Sequence, residues 1–355
     1  MHCEFLIIGA GISGAAAAFE LAAHGSVIVL EAEAMPGYHS TGRSAALYEP
    51  RYGAPTVVGL SMASEAHFRS LPGVEARLER VLAHSTPEQP VMAISAVRAL
   101  ELVPLLRPER VAAAAYEPGV MDMDVAGLHQ GYLRGLKQKG GQLLCGQPVE
   151  RLARSSGLWH AEAGDVRITA TFVVNAAGAW ADRIGALAGA KPIGLVPKRR
   201  TAIIVDAPEG MAVHGMPCVD FAGSDAYLKP DGGRIMISPG DQTPVEPQDV
   251  QPDDFEVAVL VDWLETETLL KIRRLSSSWA GLRSFVTDGA PVAGFDPELE
   301  NFFWLAGQGG FGIMMAPALA QAAAGLIIAN TLPGSLLDAN VTKADINPRR
   351  TRQVV

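Results

Sequence analysis

The chain has 355 residues, of which 48% are hydrophobic and 19% are charged, and its formal net charge is −9. This composition excludes a disordered chain, and the length favours two domains over one. The acidic charge balance argues against nucleic acid as a main partner.

The cysteines Cys3, Cys145 and Cys218 lie far apart and include no CxxC pair. This spacing favours neither a metal site nor a disulfide framework, so we expect a reduced, cytoplasmic environment. We see no stretch of about 18 apolar residues and expect no transmembrane segment, while peripheral attachment to the inner membrane stays open. Because the first apolar run begins at residue 5, we also expect no signal peptide.

The first predicted elements form a strand, turn, helix and strand. Two short apolar runs, Phe5–Ile8 and Val27–Leu30, are typical of buried strands. Between them, residues 9–14 read GAGISG, a G-x-G-x-x-G pattern that opens a helix over Ala15–Ala23. An acid, Glu31, closes the second strand.

Each part of this pattern has a physical role. Gly9 permits a tight turn, Gly11 lets a pyrophosphate approach the backbone, and Gly14 lets the helix pack closely on the sheet. The helix N-terminus offers N–H groups and a positive dipole end to phosphate. Glu31 can accept hydrogen bonds from ribose hydroxyls and disfavours a 2′-phosphate. The pattern therefore predicts a site for FAD or NAD rather than NADP.

The segment after Glu31 is rich in Gly, Ser and Thr. Ser40, Thr41, Arg43 and Ser44 could donate hydrogen bonds to a pyrophosphate. Alternatively, Ser40 or Thr41 could cap the start of a helix. The spacing leaves both interpretations open.

Two elements follow in the middle of the chain. The apolar positions of Val125–Lys139 fall on one face and Asp124 can cap its start, so we predict an amphipathic helix with His129 on its surface. Thr171–Asn175 (TFVVN) predicts a buried strand. The small residues of Ala176–Ala179 could let the backbone pass close to a cofactor, or could reflect tight packing alone.

Charged residues stand out in two later segments. Lys198, Arg199 and Arg200 follow one another in a predicted strand. Because side chains alternate between the two faces of a sheet, Arg199 should lie on the face opposite to Lys198 and Arg200. In Trp279–Phe285 (WAGLRSF), Arg283 stands among apolar residues and glycine, where a buried guanidinium needs an anionic partner. A substrate carboxylate suits the guanidinium fork, and a structural ion pair is the alternative.

The last glycine-rich segment, Gly307–Gly312 (GQGGFG), follows a predicted core strand over Phe302–Ala306. It leads into an apolar helix over Ile313–Asn330. A glycine loop at a helix N-terminus can stabilise negative charge on a ligand, because the helix dipole is positive there. It can also be a simple connection.

Together these motifs resemble the D-amino acid oxidase (DAO) family of flavoproteins. The resemblance begins with GAGISG, Glu31 and PGYHSTGRSAA (36–46), and it covers most of the chain. Within the family, the motifs look most similar to those of bacterial D-arginine dehydrogenases. The other matching segments are 125–135, 175–180, 197–200, 227–231, 279–285 and 308–312.

The resemblance implies an α/β protein with a Rossmann-like, discontinuous FAD-binding domain and a second, sheet-based α+β substrate domain. We expect the first domain to comprise residues 1–75, 141–195 and 280–355, and the second to comprise residues 76–140 and 196–279.

The resemblance also implies FAD as the cofactor. We expect it to be bound non-covalently, since no cysteine lies near Arg283 in the sequence. The residues expected to contact it are Gly9, Gly11, Ile12, Ser13, Gly14, Glu31, Ala32, Ser40, Thr41, Gly42, Arg43, Ser44, Ala45, Ala46, Val149, Ala176, Ala177, Gly178, Trp180, Gly281, Arg283, Gly309, Gly310, Phe311, Gly312 and Ile313.

The implied reaction is oxidative deamination of a D-amino acid, in which hydride passes from Cα to flavin N5. Water then hydrolyses the imino acid to a 2-oxo acid and ammonia. Arg283 would clamp the substrate carboxylate with help from Arg200, Tyr52 and Tyr227, and a quinone or dioxygen would accept the electrons. Alternatives are an oxidase of glycine or N-methylated amines, a 2-hydroxy acid dehydrogenase, and a flavin-binding module without turnover.

Two positions depart from the D-arginine dehydrogenase pattern. Leu47 stands where that pattern has a histidine. That pattern also has an acid that pairs with the guanidinium of the substrate. Val91 is the best match to the position of this acid, although Glu88 matches it in a different register. With Val91 there, the pocket lacks a counter-charge for a basic side chain, and burying an unpaired guanidinium is unfavourable. We therefore expect a neutral or apolar D-amino acid as the substrate.

Overall fold

The structure is a computed structural model that describes residues 1–45, 47–50, 53–70, 92–118 and 120–352. The described residues divide into two compact units. The first unit lies within Met1–Ala83, Val120–Pro197 and Arg283–Val355, and the second within His84–Gly119 and Lys198–Leu282.

The strands, in chain order, are β1 His2–Ile8, β2 Val27–Leu30, β3 Leu47–Tyr48, β4 Met92–Ile94, β5 Ala114–Tyr116, β6 Met121–Asp122, β7 Gln142–Leu144, β8 Val149–Ser155, β9 Leu158–Ala163, β10 Val166–Asn175, β11 Val196–Asp206, β12 Val219–Asp220, β13 Tyr227–Asp231, β14 Arg234–Ser238, β15 Ser277–Phe285, β16 Val292–Phe295 and β17 Phe302–Ala306. The α-helices are α1 Ile12–Leu21, α2 Pro55–Ser70, α3 Ala96–Leu102, α4 Val125–Gln138, α5 Ala181–Ala188, α6 Asp254–Glu267, α7 Gly312–Ala329, α8 Gly334–Asp338 and α9 Lys343–Ile346.

The first unit is built on a mixed sheet with the strand order β16–β17–β10–β1–β2–β7. The neighbours from β17 to β7 run parallel, whereas β16 pairs antiparallel with β17, and β9 pairs antiparallel with β10 and β8. Strands inside a parallel sheet are covered on both faces, which explains why β1 and β2 read as unbroken apolar runs. The predicted α/β fold is confirmed.

The carboxyl ends of three parallel strands lie level with one another. Ile8 of β1 is in register with Leu30 of β2 and with Asn175 of β10. Asn175 is in register with Trp304 of β17, a strand that continues to Ala306. The segments that follow these strands therefore meet at one edge of the sheet. Open α/β sheets bind their ligands at this edge.

Helix α7 is apolar throughout and, by length and composition, could cross a membrane. This corrects our expectation that the chain holds no such stretch. However, 72% of the helix is buried inside the protein, and Met315, Leu319 and Ala323 share a hydrophobic core with Phe5 and Ile7 of β1. In this structure α7 is a core helix of the first unit.

A buried hydroxyl joins α2 to α7. Pro317 lies inside α7, where a proline ring disturbs the helical hydrogen bonds. The amide of Ala318 donates to Ser64 Oγ of α2 at 3.1 Å, and this hydroxyl donates to the Leu60 carbonyl at 2.8 Å. Ser64 is completely buried, so both of its hydrogen bonds are shielded from water.

Helix α4 belongs to the first unit, whereas we expected it in the substrate domain. The reason is its apolar face: Leu128 and Tyr132 are buried in one cluster with Ile12 and Ala16 of α1. Its predicted cap is confirmed, since the Gly127 amide donates to the Asp124 carboxylate at 2.9 Å. The later unit boundaries, at 197 and 282, lie close to those expected.

The second unit contains a sheet with the strand order β12–β13–β14–β11–β15. Helix α6 packs on one face, where Leu260 and Leu264 share a core with Leu228, Ile235 and Ile237 of the sheet. Asp253 caps α6, because its carboxylate accepts hydrogen bonds from the Phe255 and Glu256 amides.

Arg199 of β11 forms a structural ion-pair network. Its guanidinium lies 3.3 Å from the Asp241 carboxylate, 2.9 Å from Glu256 and 3.6 Å from Asp253. Asp241, only 7% exposed, also accepts hydrogen bonds from the Thr201 amide and hydroxyl. The network thus fastens the start of α6 to β11.

We predict that Asp241→Ala destabilises the protein by about 3 kcal/mol, because it leaves a largely buried guanidinium and a buried amide without this acceptor. Thermal unfolding should show a Tm lower by roughly 5 °C or more. Glu101→Ala, which removes an exposed ion pair to Arg98, is the control and should change stability by less than about 1 kcal/mol. Equal effects of the two substitutions would contradict the prediction.

Candidate functional site

The turn between β1 and α1 has no room for side chains. Gly9 has a φ of +102°, and a Cβ there would lie 2.5 Å from the Ala176 carbonyl oxygen. A Cβ at Gly14 would lie 1.9 Å from the Gly9 carbonyl oxygen. The glycine turn therefore touches the segment after β10, and two of the predicted cofactor-contacting segments lie together.

Two side chains bind the amides of this turn. Glu31 is buried, and its carboxylate accepts from the Ala10 amide at 2.8 Å and from the Glu33 amide at 3.0 Å. Thr41 Oγ1 accepts from the Ile12 amide, the first of α1, at 2.9 Å. Thr41 thus caps α1 from another segment, because residues 36–43 form consecutive turns and no α-helix of their own.

His129 of α4 also reaches the glycine turn, which corrects our expectation of a surface position. It is 4% exposed, and its Nε2 lies 2.8 Å from the Ala10 carbonyl oxygen. Since a carbonyl oxygen only accepts, Nε2 carries the proton. A sequence signal for this burial exists, because His129 lies three residues before Tyr132 and seven before Leu136, on the apolar face of the helix.

The N-termini of α1 and α7 lie side by side. A Cβ at Gly312 would lie 4.0 Å from Ile12 Cγ2. The N-cap residues, Gly11 and Phe311, provide no side-chain acceptor, and neither first turn contains an acidic residue. The first amides of a helix lack intrahelical partners and carry partial positive charge, so this pair of helix ends favours an anionic ligand.

Arg283 lies against the glycine loop that opens α7. A Cβ at Gly310 would lie 2.9 Å from Arg283 Nη1, and the Gly309 amide donates to the Ser284 carbonyl at 2.9 Å. Gln308 Nε2 in the same loop is buried and has no hydrogen-bond partner in the described part of the chain. The loop therefore brings a cation and an amide donor to the N-terminus of α7.

Other predicted contact residues lie around the same sheet edge. Trp180 follows β10, and its ring lies 4.5 Å from that of His39, whose Nε2 lies 2.9 Å from Glu33 Oε1. Val149 is half-buried at the start of β8, directly after a loop whose Gln147 amide donates to the Glu31 carbonyl at 2.8 Å.

The other predicted site residues lie elsewhere in the chain. Arg200, Tyr227 and Gly281 belong to the second unit, and their role at this site stays a prediction. Leu47 is half-buried in β3, and Arg43 lies over the Tyr38 ring at 5.1 Å. The remaining predicted positions, Ala46, Tyr52, Glu88 and Val91, lie outside the described residues.

This set of groups fits a dinucleotide cofactor. The glycine turn and the first amides of α1 could hold a diphosphate, and Glu31 could accept from a ribose. The first amides of α7, together with the unsatisfied Gln308 amide, could bind the polar edge of a ring that gains negative charge on reduction.

Comparisons with known proteins agree with this fit. The model of the DAO family, described as FAD dependent oxidoreductase, matches residues 4–326. The chain is 26% identical to glycine oxidase of Geobacillus kaustophilus over 266 residues, which are 73% of this chain and 65% of that protein. It is also 26% identical to mitochondrial sarcosine dehydrogenase of Homo sapiens over 248 residues, which are 64% of this chain. That match spans only 26% of the human protein.

Solved structures show the same fold. The structure of L-proline dehydrogenase from P. horikoshii has a TM-score of 0.77 and 24% identity, and the match covers 99% of this chain and 98% of that one. The Geobacillus glycine oxidase structure has a TM-score of 0.75 at 24% identity, covering 92% and 94%. These relatives support the predicted family and not the narrower likeness to D-arginine dehydrogenases.

We predict that Gly14→Ala abolishes FAD binding, because its Cβ cannot fit beside the Gly9 carbonyl without displacing the turn. FAD content of the purified protein, read from its visible absorbance, checks this outcome. Gly131→Ala is the matched control, since a Cβ there meets nothing within 4 Å and alanine is favoured in helices. A yellow Gly14→Ala protein with wild-type affinity would refute the argument.

A second prediction concerns pH. Burial lowers the pKa of His129, against the opposing effects of the Ala10 hydrogen bond and the Glu31 carboxylate. As the pH falls below about 6.5, the His129 imidazole binds a proton in the unfolded chain more readily than in the folded protein. The free energy of unfolding therefore decreases as the pH falls through this range. The Tm of the wild type should therefore fall more steeply between about pH 7 and pH 5 than that of His129→Gln. Parallel pH profiles would contradict this.

Proposed function

Because the chain belongs to the DAO family of FAD-dependent oxidoreductases, and FAD is therefore its cofactor, we propose that it oxidises the carbon–nitrogen bond of an amino acid. The substrate we propose is a D-amino acid with a neutral or apolar side chain. The product would be an imino acid that water hydrolyses to a 2-oxo acid and ammonia.

The observation that carries this proposal is the position of Arg283. Its guanidinium packs over Gly310, beside the N-terminus of α7, and no acidic residue is found in the first turn of that helix. A guanidinium next to a positive helix end is electrostatically unfavourable unless an anion lies nearby. An anionic ligand held by both groups would offset their repulsion, and an amino acid carboxylate provides two oxygens for the guanidinium fork.

In this proposal the chain supplies orientation and electrostatics. Arg283, helped by Arg200, Tyr52 and Tyr227, would hold the carboxylate and so fix the position of the substrate Cα. FAD, when bound, supplies the hydride acceptor. Fixing one end of a substrate can lower a barrier by up to roughly 7–11 kcal/mol in ideal cases. If the amine binds neutral, no strong base is required, and water or Tyr52 could take the remaining proton.

A second candidate is oxidation of glycine or an N-methyl amino acid. Glycine oxidase and sarcosine dehydrogenase are the names of two of the relatives, which favours small or N-methylated substrates. The D-amino acid proposal instead rests on the resemblance, and its neutral or apolar side chain rests on the expectation that Val91, rather than Glu88, takes the place of the acid. We propose a quinone or dioxygen as the electron acceptor and a cytoplasmic location.

A substrate panel tests these proposals. The FAD-loaded protein is mixed without oxygen with D- and L-amino acids, glycine, sarcosine and 2-hydroxy acids, and the flavin absorbance is followed. Bleaching by neutral D-amino acids supports the first proposal, and bleaching by glycine or sarcosine alone supports the second. Activity confined to D-arginine and D-lysine, or no bleaching at all, would overturn the first. Peroxide formation in air separates an oxidase from a dehydrogenase.

We predict that Arg283→Met lowers kcat/KM about 100-fold or more, since charge-assisted hydrogen bonds each contribute about 1.5–3 kcal/mol. The loss should appear mainly in KM for the amino acid, while the visible FAD spectrum persists. Arg273→Met replaces an exposed arginine of the second unit and serves as the control. An Arg283→Met protein with unchanged kcat/KM would rule out the carboxylate clamp.

A further inference from the structure

The Ala10 peptide is held from both sides by residues of two distant segments. Its N–H donates to Glu31 at 2.8 Å, and its carbonyl accepts from His129 Nε2 at 2.8 Å. Ala10 lies between the first two glycines of the turn, so its orientation sets the directions of the neighbouring amides. A carboxylate on one end of a peptide and an imidazole N–H on the other polarise it in the same sense, which strengthens both hydrogen bonds.

The imidazole also touches the second loop of the site. A Cβ at Gly37 would lie 2.9 Å from His129 Cε1 and 3.1 Å from its Nδ1. The Gly42 amide donates to the Gly37 carbonyl at 2.7 Å, and the neighbouring Thr41 caps α1 through the Ile12 amide. His129 and Thr41 thus connect the 36–43 loop to the glycine turn at two points.

We propose that His129 is a positioning residue for FAD: it holds the glycine turn and the 36–43 loop in their binding geometry before the cofactor arrives. A preformed site binds more tightly, because the free energy of ordering the loops is not subtracted from the binding free energy. Without the imidazole, the Ala10 carbonyl would lose its buried donor, and the peptide could rotate. The amides of the glycine turn that could hold a diphosphate would then adopt several orientations.

A purely structural role predicts a different result. Leu128, the neighbouring residue on α4, is also buried in the cluster that joins α4 to α1, but it is apolar. Truncating it removes packing and leaves the hydrogen bonds to Ala10 in place. A packing defect lowers the stability of the protein, whereas a positioning defect changes its affinity for FAD.

The experiment measures the FAD dissociation constant of the apoprotein by quenching of FAD fluorescence, for His129→Asn, His129→Gln and Leu128→Ala. Asparagine is too short to reach Ala10, so we expect its Kd to rise roughly 10-fold or more, as for a lost buried hydrogen bond. Glutamine keeps an N–H at about the reach of Nε2, and its Kd should stay within about threefold of the wild type. Leu128→Ala should lower the Tm with little change in Kd.

Hydrogen exchange of the same apoproteins provides a readout independent of FAD. In His129→Asn, the amides of residues 9–14 and 36–43 should exchange faster, while those of β1 stay protected. If His129→Asn does not fold, His129→Phe, which keeps a buried ring and lacks the N–H, should raise the Kd in the same way. Wild-type FAD affinity in His129→Asn, or in His129→Phe if the former does not fold, would overturn the proposal, and so would an equal loss of affinity in Leu128→Ala.

Discussion

Gly14 packs against Gly9 so closely that a Cβ at position 14 would overlap the Gly9 carbonyl oxygen, at 1.9 Å. This contact places the first turn of α1 directly at the carboxyl edge of the sheet. Gly9 in turn lies against the Ala176 carbonyl, so β1, α1 and the segment after β10 converge at one point. Glu31, the 36–43 loop, Trp180 and the loop that opens α7 follow strands of this sheet, whereas Arg283 lies in β15 and His129 in α4.

The glycines of the turn have no side chains, and Ala10 has only a methyl group. Side chains of the surrounding segments therefore hold the turn in place. Glu31 comes from the end of β2, Thr41 from the loop after it, and His129 from a helix more than a hundred residues later. Each side chain binds one backbone group of the turn. Glycine gives the turn conformational freedom, and the three surrounding side chains fix it in one conformation. This combination suits backbone that must approach a ligand closely.

Local patterns in the sequence were sufficient for most of the fold. The glycine spacing, the apolar runs of β1 and β2, and the Asp124 cap depend on residues that lie near one another in the chain. The roles of Thr41 and His129 depend on contacts with Ile12 and Ala10, and no local pattern encodes such contacts. Helix α4 was placed in the wrong domain for the same reason, because its apolar face does not reveal which helix it packs against.

The hydroxyl of Ser64 has a mechanical consequence for the same site. Helix α7 begins at the loop that carries Gln308 and Gly310, and the bond from its Ala318 amide to Ser64 lies only six residues after the helix begins. A movement of α7 along its own axis past α2 would break this hydrogen bond and leave a buried amide without an acceptor. Such a movement of α7 is therefore unfavourable, and adaptation to ligands of different size would have to come from side chains and loops.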